Sequence, residues 1–422
     1  MRRRAAIAAI LVLLAGCEAP VPPSTELVFL LPPVKREALS TSPAPSEAPD
    51  PDHSPVPSPS PSHGQSGNPG RGGGGAPPQP GGLTIATADG YGLARMAAPA
   101  LTSVGGLAVD ARGVVYVSDT ARHTVWAVPT TGAPAVVAGL GNGNPGYWGD
   151  GVPADATPLS GPTGLALDPH SGAIMLADTG NGRIRLFPPG GRITTWAGGG
   201  APTTETVANP LAARLDQPVG LALDGEGRLL FTERGSGRLR RLESDRRVTT
   251  LATFAPGELG PIAVRWRDGL AWVGEGGRIR ALDPAAPDPA ASPVLELPGQ
   301  VVAGLAYDQV GTLFALVSDP GGSAGTRLLR LDVGASGAAL GEPEPVAGTG
   351  GTAPDPAAYE APATPVADAR EQLLTGAATN GLAIDLSHAA SETVLSGHLY
   401  LGHAYDAGAT RWAQVLKLTP RE

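Results

Sequence analysis

Within residues 161–187, reading GPTGLALDPHSGAIMLADTGNGRIRLF, apolar side chains alternate with small or polar ones: Leu165 and Leu167, then Ile174 and Leu176, then Ile184 and Leu186. A period of two marks half-buried β-strands, so the stretch predicts three short ones. Asp168-Pro169-His170-Ser171-Gly172 and Asp178-Thr179-Gly180-Asn181-Gly182 separate them. Both are turn sequences, because Asn and Gly tolerate positive φ and Asp can accept hydrogen bonds from nearby backbone. The unit is an antiparallel meander.

The unit recurs. Gly106-Leu107-Ala108-Val109-Asp110, Gly164-Leu165-Ala166-Leu167-Asp168, Gly220-Leu221-Ala222-Leu223-Asp224, Gly304-Leu305-Ala306-Tyr307-Asp308 and Gly381-Leu382-Ala383-Ile384-Asp385 are near copies of one strand, and Pro261-Ile262-Ala263-Val264-Arg265 is a degenerate sixth. Second strands follow at 114–117, 174–177, 229–232, 270–273, 313–317 and 399–401, and third strands open near Arg183, Arg238, Arg278 and Arg327. A fourth strand is legible at 135–138, 193–197, 248–252, 293–297 and 345–347, but the last unit stops at 411–418 without one. Residues 82–87 form an orphan strand before the first unit, and they are the expected closing strand of the sixth.

Sheets repeated six times leave edges to be managed, and closing them into a ring removes those edges. The expected fold is therefore all-β, a six-bladed β-propeller spanning 82–422. The copies resemble NHL-repeat propellers, whose blades read roughly Pro-x-Gly-Leu-Ala-x-Asp followed by an Ala-Asp-Thr-x-Asn-His-Arg-Ile turn. Ala177-Asp178-Thr179-Gly180-Asn181-Gly182-Arg183-Ile184 and Ser118-Asp119-Thr120-Ala121-Arg122-His123 carry the resemblance. The family His is Gly182 in the second unit and the family Arg is Thr124 in the first.

The first 81 residues change this picture. Arg2-Arg3-Arg4 and the apolar run 5–14 read as a secretory signal, too short for a comfortable membrane span. The run ends in Leu14-Ala15-Gly16-Cys17, which resembles the lipobox of bacterial lipoproteins. That resemblance implies signal-peptidase recognition of Leu14, Ala15 and Gly16, cleavage of 1–16, and acylation of Cys17, the one cysteine of the chain. Several acyl chains supply the stable anchoring that one cannot. Glu18 stands where inner-membrane retention signals of such lipoproteins typically have Asp, which favours the outer membrane in a cell with two. Residues 17–81 are Pro, Ser and Gly-rich and hold too little apolar surface to offset backbone ordering, so they read as a disordered tether. Its span is roughly 40–50 Å by the square-root rule for flexible chains.

Composition narrows the function. A formal charge of −9 with no basic patch argues against nucleic acid. The Asp or Glu closing each second strand (Asp119, Asp178, Glu233, Glu275) precedes an Arg (Arg122, Arg183, Arg238, Arg278), and such recurring pairs read as hairpin or inter-blade framework. Asp110, Asp168, Asp224, Asp308 and Asp385 read as turn residues on the opposite rim. His123, His170, His388, His398 and His403 form no zinc pattern; the last two sit five apart on one strand and face opposite ways. Calcium-dependent lactonases of the gluconolactonase type need Glu, Asn and Asp converging from inner strands, where this chain carries Gly, Leu, Ala and Val. No catalytic residue, metal ligand or cofactor is assigned.

The joins between units are long at 139–161, 198–217 and 348–379, and blade geometry sends them to one rim with the hairpins after the second strands. That rim is the expected recognition face for a protein, peptide or glycan, with Tyr147, Trp148, Asp150 and Tyr359 as its candidate contacts. The opposite rim is expected to offer little surface. A membrane-anchored binding module is the leading expectation; a propeller hydrolase of the lactonase type is the alternative.

Overall fold

The computed structural model describes residues 84–85, 91–96, 101–201, 206–286, 290–308, 311–318, 326–347, 382–384, 399–407 and 410–420. The signal and tether, Tyr359, Asp385, His388, His398 and all of the last join lie outside these residues. Six antiparallel sheets succeed one another along the chain. Each is a blade with strands a to d counted outward, and the a strands are Gly106–Val109, Pro162–Leu167, Pro218–Leu223, Leu259–Val264, Val301–Tyr307 and Leu382–Ile384. Each a strand neighbours the next, and the sixth neighbours both the fifth and the first, so the ring is closed.

The closing strand differs from expectation. In blade 6, strand Thr410–Pro420 pairs with Tyr91–Arg95 in the register Leu93↔Leu418 and Arg95↔Leu416, and Thr84–Ile85 adds a fifth strand outside it. Residues 82–87 therefore do not occupy the closing position. The reason lies in chain continuity: Arg95 runs directly into Met96, whose N–H donates to the Val415 carbonyl at 3.0 Å. Met96 is buried in the apolar layer between blades 6 and 1, and it draws the strand adjoining it against the sheet.

Period-two alternation gives every blade two apolar faces, each packed against a different neighbour. Val125, Ala138 and Tyr116 of blade 1 meet Leu176, Phe187 and Ile193 of blade 2, and Met175, Ala177 and Ile184 of blade 2 meet Leu229, Phe231 and Val248 of blade 3. Blades 3 to 5 continue the stack, and Val117 and Val128 pack with Tyr400 and Val415 to join the two ends of the ring. The b strands are consequently buried at every position in blades 1 to 5. Full burial of one such Leu or Phe contributes about 1.5–3 kcal/mol.

The glycine opening the repeated Gly-Leu-Ala has a steric cause. A Cβ built on Gly164 would lie 2.1 Å from the Val219 carbonyl oxygen, one on Gly106 would lie 2.7 Å from that of Thr163, and one on Gly220 would lie 2.7 Å from that of Gly260. Neighbouring a strands thus meet backbone to backbone. Hydroxyls of one blade bond the same carbonyl row of the next: Ser118 Oγ donates to Thr163 O at 2.6 Å, Thr179 Oγ1 to Pro218 O at 2.7 Å, and Thr232 Oγ1 to Gly260 O at 2.6 Å. On the opposite rim, Asp110, Asp168, Asp224 and Asp308 accept backbone N–H bonds within their own a–b turns, as the sequence implies.

Two outcomes follow from this architecture. Gly164→Ala forces an overpacked contact that costs about 1–3 kcal/mol, so its thermal midpoint should fall by several degrees, whereas Gly341→Ala, with open space around the new methyl, should melt with the wild type. Starting the chain at Met96 removes both strands outside Thr410–Pro420 and should lower the midpoint relative to a start at Gly82; equal midpoints for the two truncations would contradict closure by the N-terminal strands.

Candidate functional site

The rim that carries the joins is organised by the carboxylates that end the b strands. Asp119 accepts the backbone N–H groups of Thr102 at 2.7 Å and Ser103 at 3.1 Å, Asp178 accepts that of Ser160 at 2.7 Å, and Glu275 accepts that of Ala255 at 3.3 Å. Each acid holds the segment leading into its own a strand. Their arginine partners lie two residues beyond those expected: Arg185 for Asp178, Arg240 for Glu233 and Arg280 for Glu275. Arg183, Arg238 and Arg278 stand directly opposite the acids in the ladder. Residues two apart share a face, and a long guanidinium leaning along the strand reaches the buried acid from the farther position. Arg122, in blade 1, instead donates its Nε to Thr102 Oγ1. Burial alone would raise the Glu275 pKa, but the Arg280 hydrogen bond, the Ala255 N–H and nearby guanidinium charge bring it below the ordinary Glu value. These groups are framework, as their recurrence suggests.

The join at 139–161 is fastened to blade 2. Val152–Pro153 adds an edge strand to Arg192–Gly198, and Asn181 Nδ2 donates to the Gly146 carbonyl at 2.8 Å. The imidazole of His123 is held below its ordinary pKa by burial, with Asp119 opposing the shift, and its Nδ1 accepts the Gly161 N–H at 2.9 Å. Asp150 Oδ1 accepts from Arg185 at 3.0 Å and Thr195 Oγ1 at 2.8 Å. Arg185 is fully buried and bridges Asp150 to Asp178, so removing either acid would strip a partner from a buried charge. Tyr147 lies under two guanidinium groups, with Arg183 Cζ 4.0 Å and Arg185 Cζ 5.0 Å from its ring centroid.

The candidate contacts thereby separate. Asp150 and Tyr147 hold the loop while remaining partly exposed, and Trp148, between them in the sequence, is 65% exposed. Tyr359 lies outside the described residues. Two further fasteners, Arg185 and Thr195, were not singled out by the repeat pattern; Arg185 could have been found by testing the acid against the third rather than the first residue of the c strand.

Five of the a strands line a narrow central cavity of about 70 Å³ through Gly, Leu, Val, Ile, Ala, Thr and Pro, together with Arg234. None of those lining residues is a carboxylate, and among the described residues no group of His, Cys, Asp and Glu could hold a metal ion. The a strands of blades 2 to 5 shift register at the same level, between Pro162 and Leu165, Pro218 and Leu221, Leu259 and Ile262, and Val302 and Gly304. Such bulges turn backbone groups out of the ladder at the channel mouth. The opposite rim, expected to offer little, carries a cleft of about 560 Å³ bordered by Arg112, Tyr116, His170 and Trp266. Its turns are short, and Trp266, one of the residues bordering the cleft, is 43% exposed.

No family model matches the chain. Among solved structures, the gluconolactonase of Xanthomonas campestris superposes with a TM-score of 0.53 at 14% identity, covering 82% of this chain and 99% of that one. A second structure assigned as a gluconolactonase superposes with a TM-score of 0.50 at 14% identity, covering 80% of this chain and 94% of that one. Likeness at this identity establishes the β-propeller and leaves the chemistry to the residues.

Proposed function

We propose that this chain is a binding module of the bacterial cell envelope: an NHL-type propeller, acylated at Cys17, that presents its join-rich rim to a protein, peptide or glycan at the end of a flexible tether. The observation that carries the binding reading is the contrast within residues 147–153. A buried guanidinium, an edge strand and a stacked tyrosine fix the loop, yet the indole of Trp148 is left in solvent. A pre-ordered aromatic loses little conformational freedom on contact, and aromatic anchors of this kind dominate interface energetics.

A lactonase-type hydrolase is the second reading, favoured by the fold it shares with gluconolactonases. The channel lining supports it less. Carboxylate ligands converging from inner strands are what that chemistry requires, and the described lining offers backbone, aliphatic groups and one guanidinium.

Once a partner is identified by pull-down or by glycan and peptide arrays, Trp148→Ala should weaken it at least tenfold, matching the roughly 2 kcal/mol of a hot-spot truncation, without moving the melting curve. Unchanged affinity would put recognition elsewhere. The anchoring part is tested separately by detergent phase partitioning. Wild type should enter the detergent phase and Cys17→Ser should remain aqueous, and a wild type found wholly in the aqueous phase would remove the lipid anchor from the proposal.

A further inference from the structure

Arg234 departs from the pattern of its neighbours. It directly follows Glu233, the acid ending the b strand of blade 3, at the place taken by Thr120 in blade 1 and Thr179 in blade 2. Those threonines spend their hydroxyls on the carbonyl oxygens of Pro162 and Pro218 in the following blade, at 2.8 and 2.7 Å. Arg234 instead lends its side chain to the lining of the central cavity, on the rim that carries the joins. Its backbone is fixed there, because its N–H donates to the Gln217 carbonyl at 2.9 Å and its own carbonyl accepts from Gly257 at 2.7 Å.

Among the described residues the guanidinium has no acid partner. Arg185, Arg240 and Arg280 are each matched to a carboxylate on the same blade. Among the described residues no carboxylate forms an ion pair with Arg234; Glu233, beside it in the chain, is paired with Arg240, and Asp216, in the join before the a strand of blade 3, lies against Gly235. Burial pushes the Arg234 pKa down, and no neighbouring charge opposes that shift. Five N–H donors in a half-buried position normally find acceptors, because leaving a desolvated charge unmatched is costly.

Its surroundings suit a compact acceptor. Gly105, Gly106, Gly164, Gly220, Gly260 and Gly304 are among the residues that line the cavity. The bulges in the a strands of blades 2 to 5 lie at this level. The cavity is small, about 70 Å³. Guanidinium groups favour oxyanions, which they meet with two parallel N–H donors.

We infer that the mouth of the central channel is an oxyanion-binding site in which Arg234 receives the carboxylate or phosphate group of a ligand arriving from the join-rich rim. The site lies apart from Trp148 and does not require it. Arg234 anchors the charged end of the ligand, and the glycine-lined backbone closes around it.

Calorimetric titration of the full chain with sodium acetate and, separately, sodium phosphate, each against sodium chloride of equal ionic strength, tests this directly. Wild type should give a saturable isotherm with at least one of the two anions; acetate alone identifies a carboxylate site and phosphate alone a phosphate site. Arg234→Gln should weaken binding at least tenfold, and Arg234→Lys should recover part of it, because charge persists while the fork is lost. In chloride, Arg234→Gln should melt no lower than wild type, since no internal ion pair is broken. Trp148→Ala should bind the anion like wild type, which separates this site from the rim contact. The inference is overturned if neither anion binds wild type, if Arg234→Gln binds equally well, or if that variant melts well below wild type in chloride, as a structural pin would.

Discussion

Neighbouring inner strands stand so close that a methyl group on Gly164 would meet the Val219 carbonyl oxygen at 2.1 Å. That approach sets the remaining dimensions of the propeller. It keeps the channel narrow, it turns carbonyl oxygens toward the hydroxyls of Ser118, Thr179 and Thr232, and it lets apolar blade faces meet without gaps. A glycine at this position contributes space rather than flexibility, and the recurring Gly-Leu-Ala reads as a packing rule. Only the ring as a whole satisfies it, because each inner strand is the wall against which its neighbour is measured.

The second organising device is electrostatic. Carboxylates at the ends of the b strands are buried, and each is offset by backbone N–H groups of the incoming join, by a guanidinium from the c strand, or by both. Such sites are worth little as isolated ion pairs, since desolvation consumes much of the attraction. Their effect is positional: they fix where a join enters the blade, and so they convert long surface segments into a rigid rim. The loop bearing Trp148 shows the consequence most clearly. Arg185 ties it through Asp150 to the same buried acid that holds the next inner strand. Asp150 thus helps to hold the loop that carries Trp148.

The two rims are not equivalent in their chemistry. The join-rich rim presents an exposed indole and an arginine that has no acid partner among the described residues, the second of them in a glycine-lined mouth. On the other rim the turn acids are occupied by their own backbone, as Asp110 and Asp168 are, and Trp266 is one of the residues bordering a cleft. A ligand with an apolar body and a charged end has matching groups on the first of these faces.

By itself the sequence determined the class of fold, the number of units, the strand order within a unit and the turn residues, because period-two alternation and Asp/Gly punctuation are local properties that repetition makes legible. It also marked Trp148 as an aromatic that the core does not claim. Three matters were decided only by the tertiary structure. The closing strand is Tyr91–Arg95 because Met96 is pinned between blades 6 and 1, a contact made by residues more than three hundred positions apart in the chain. The acids pair with Arg185, Arg240 and Arg280 because reach along a buried face, rather than spacing in the hairpin, selects the partner. Arg234 acquires its significance from where the inner strands converge, and no local pattern marks that point: within its own segment it is one more arginine after a glutamate.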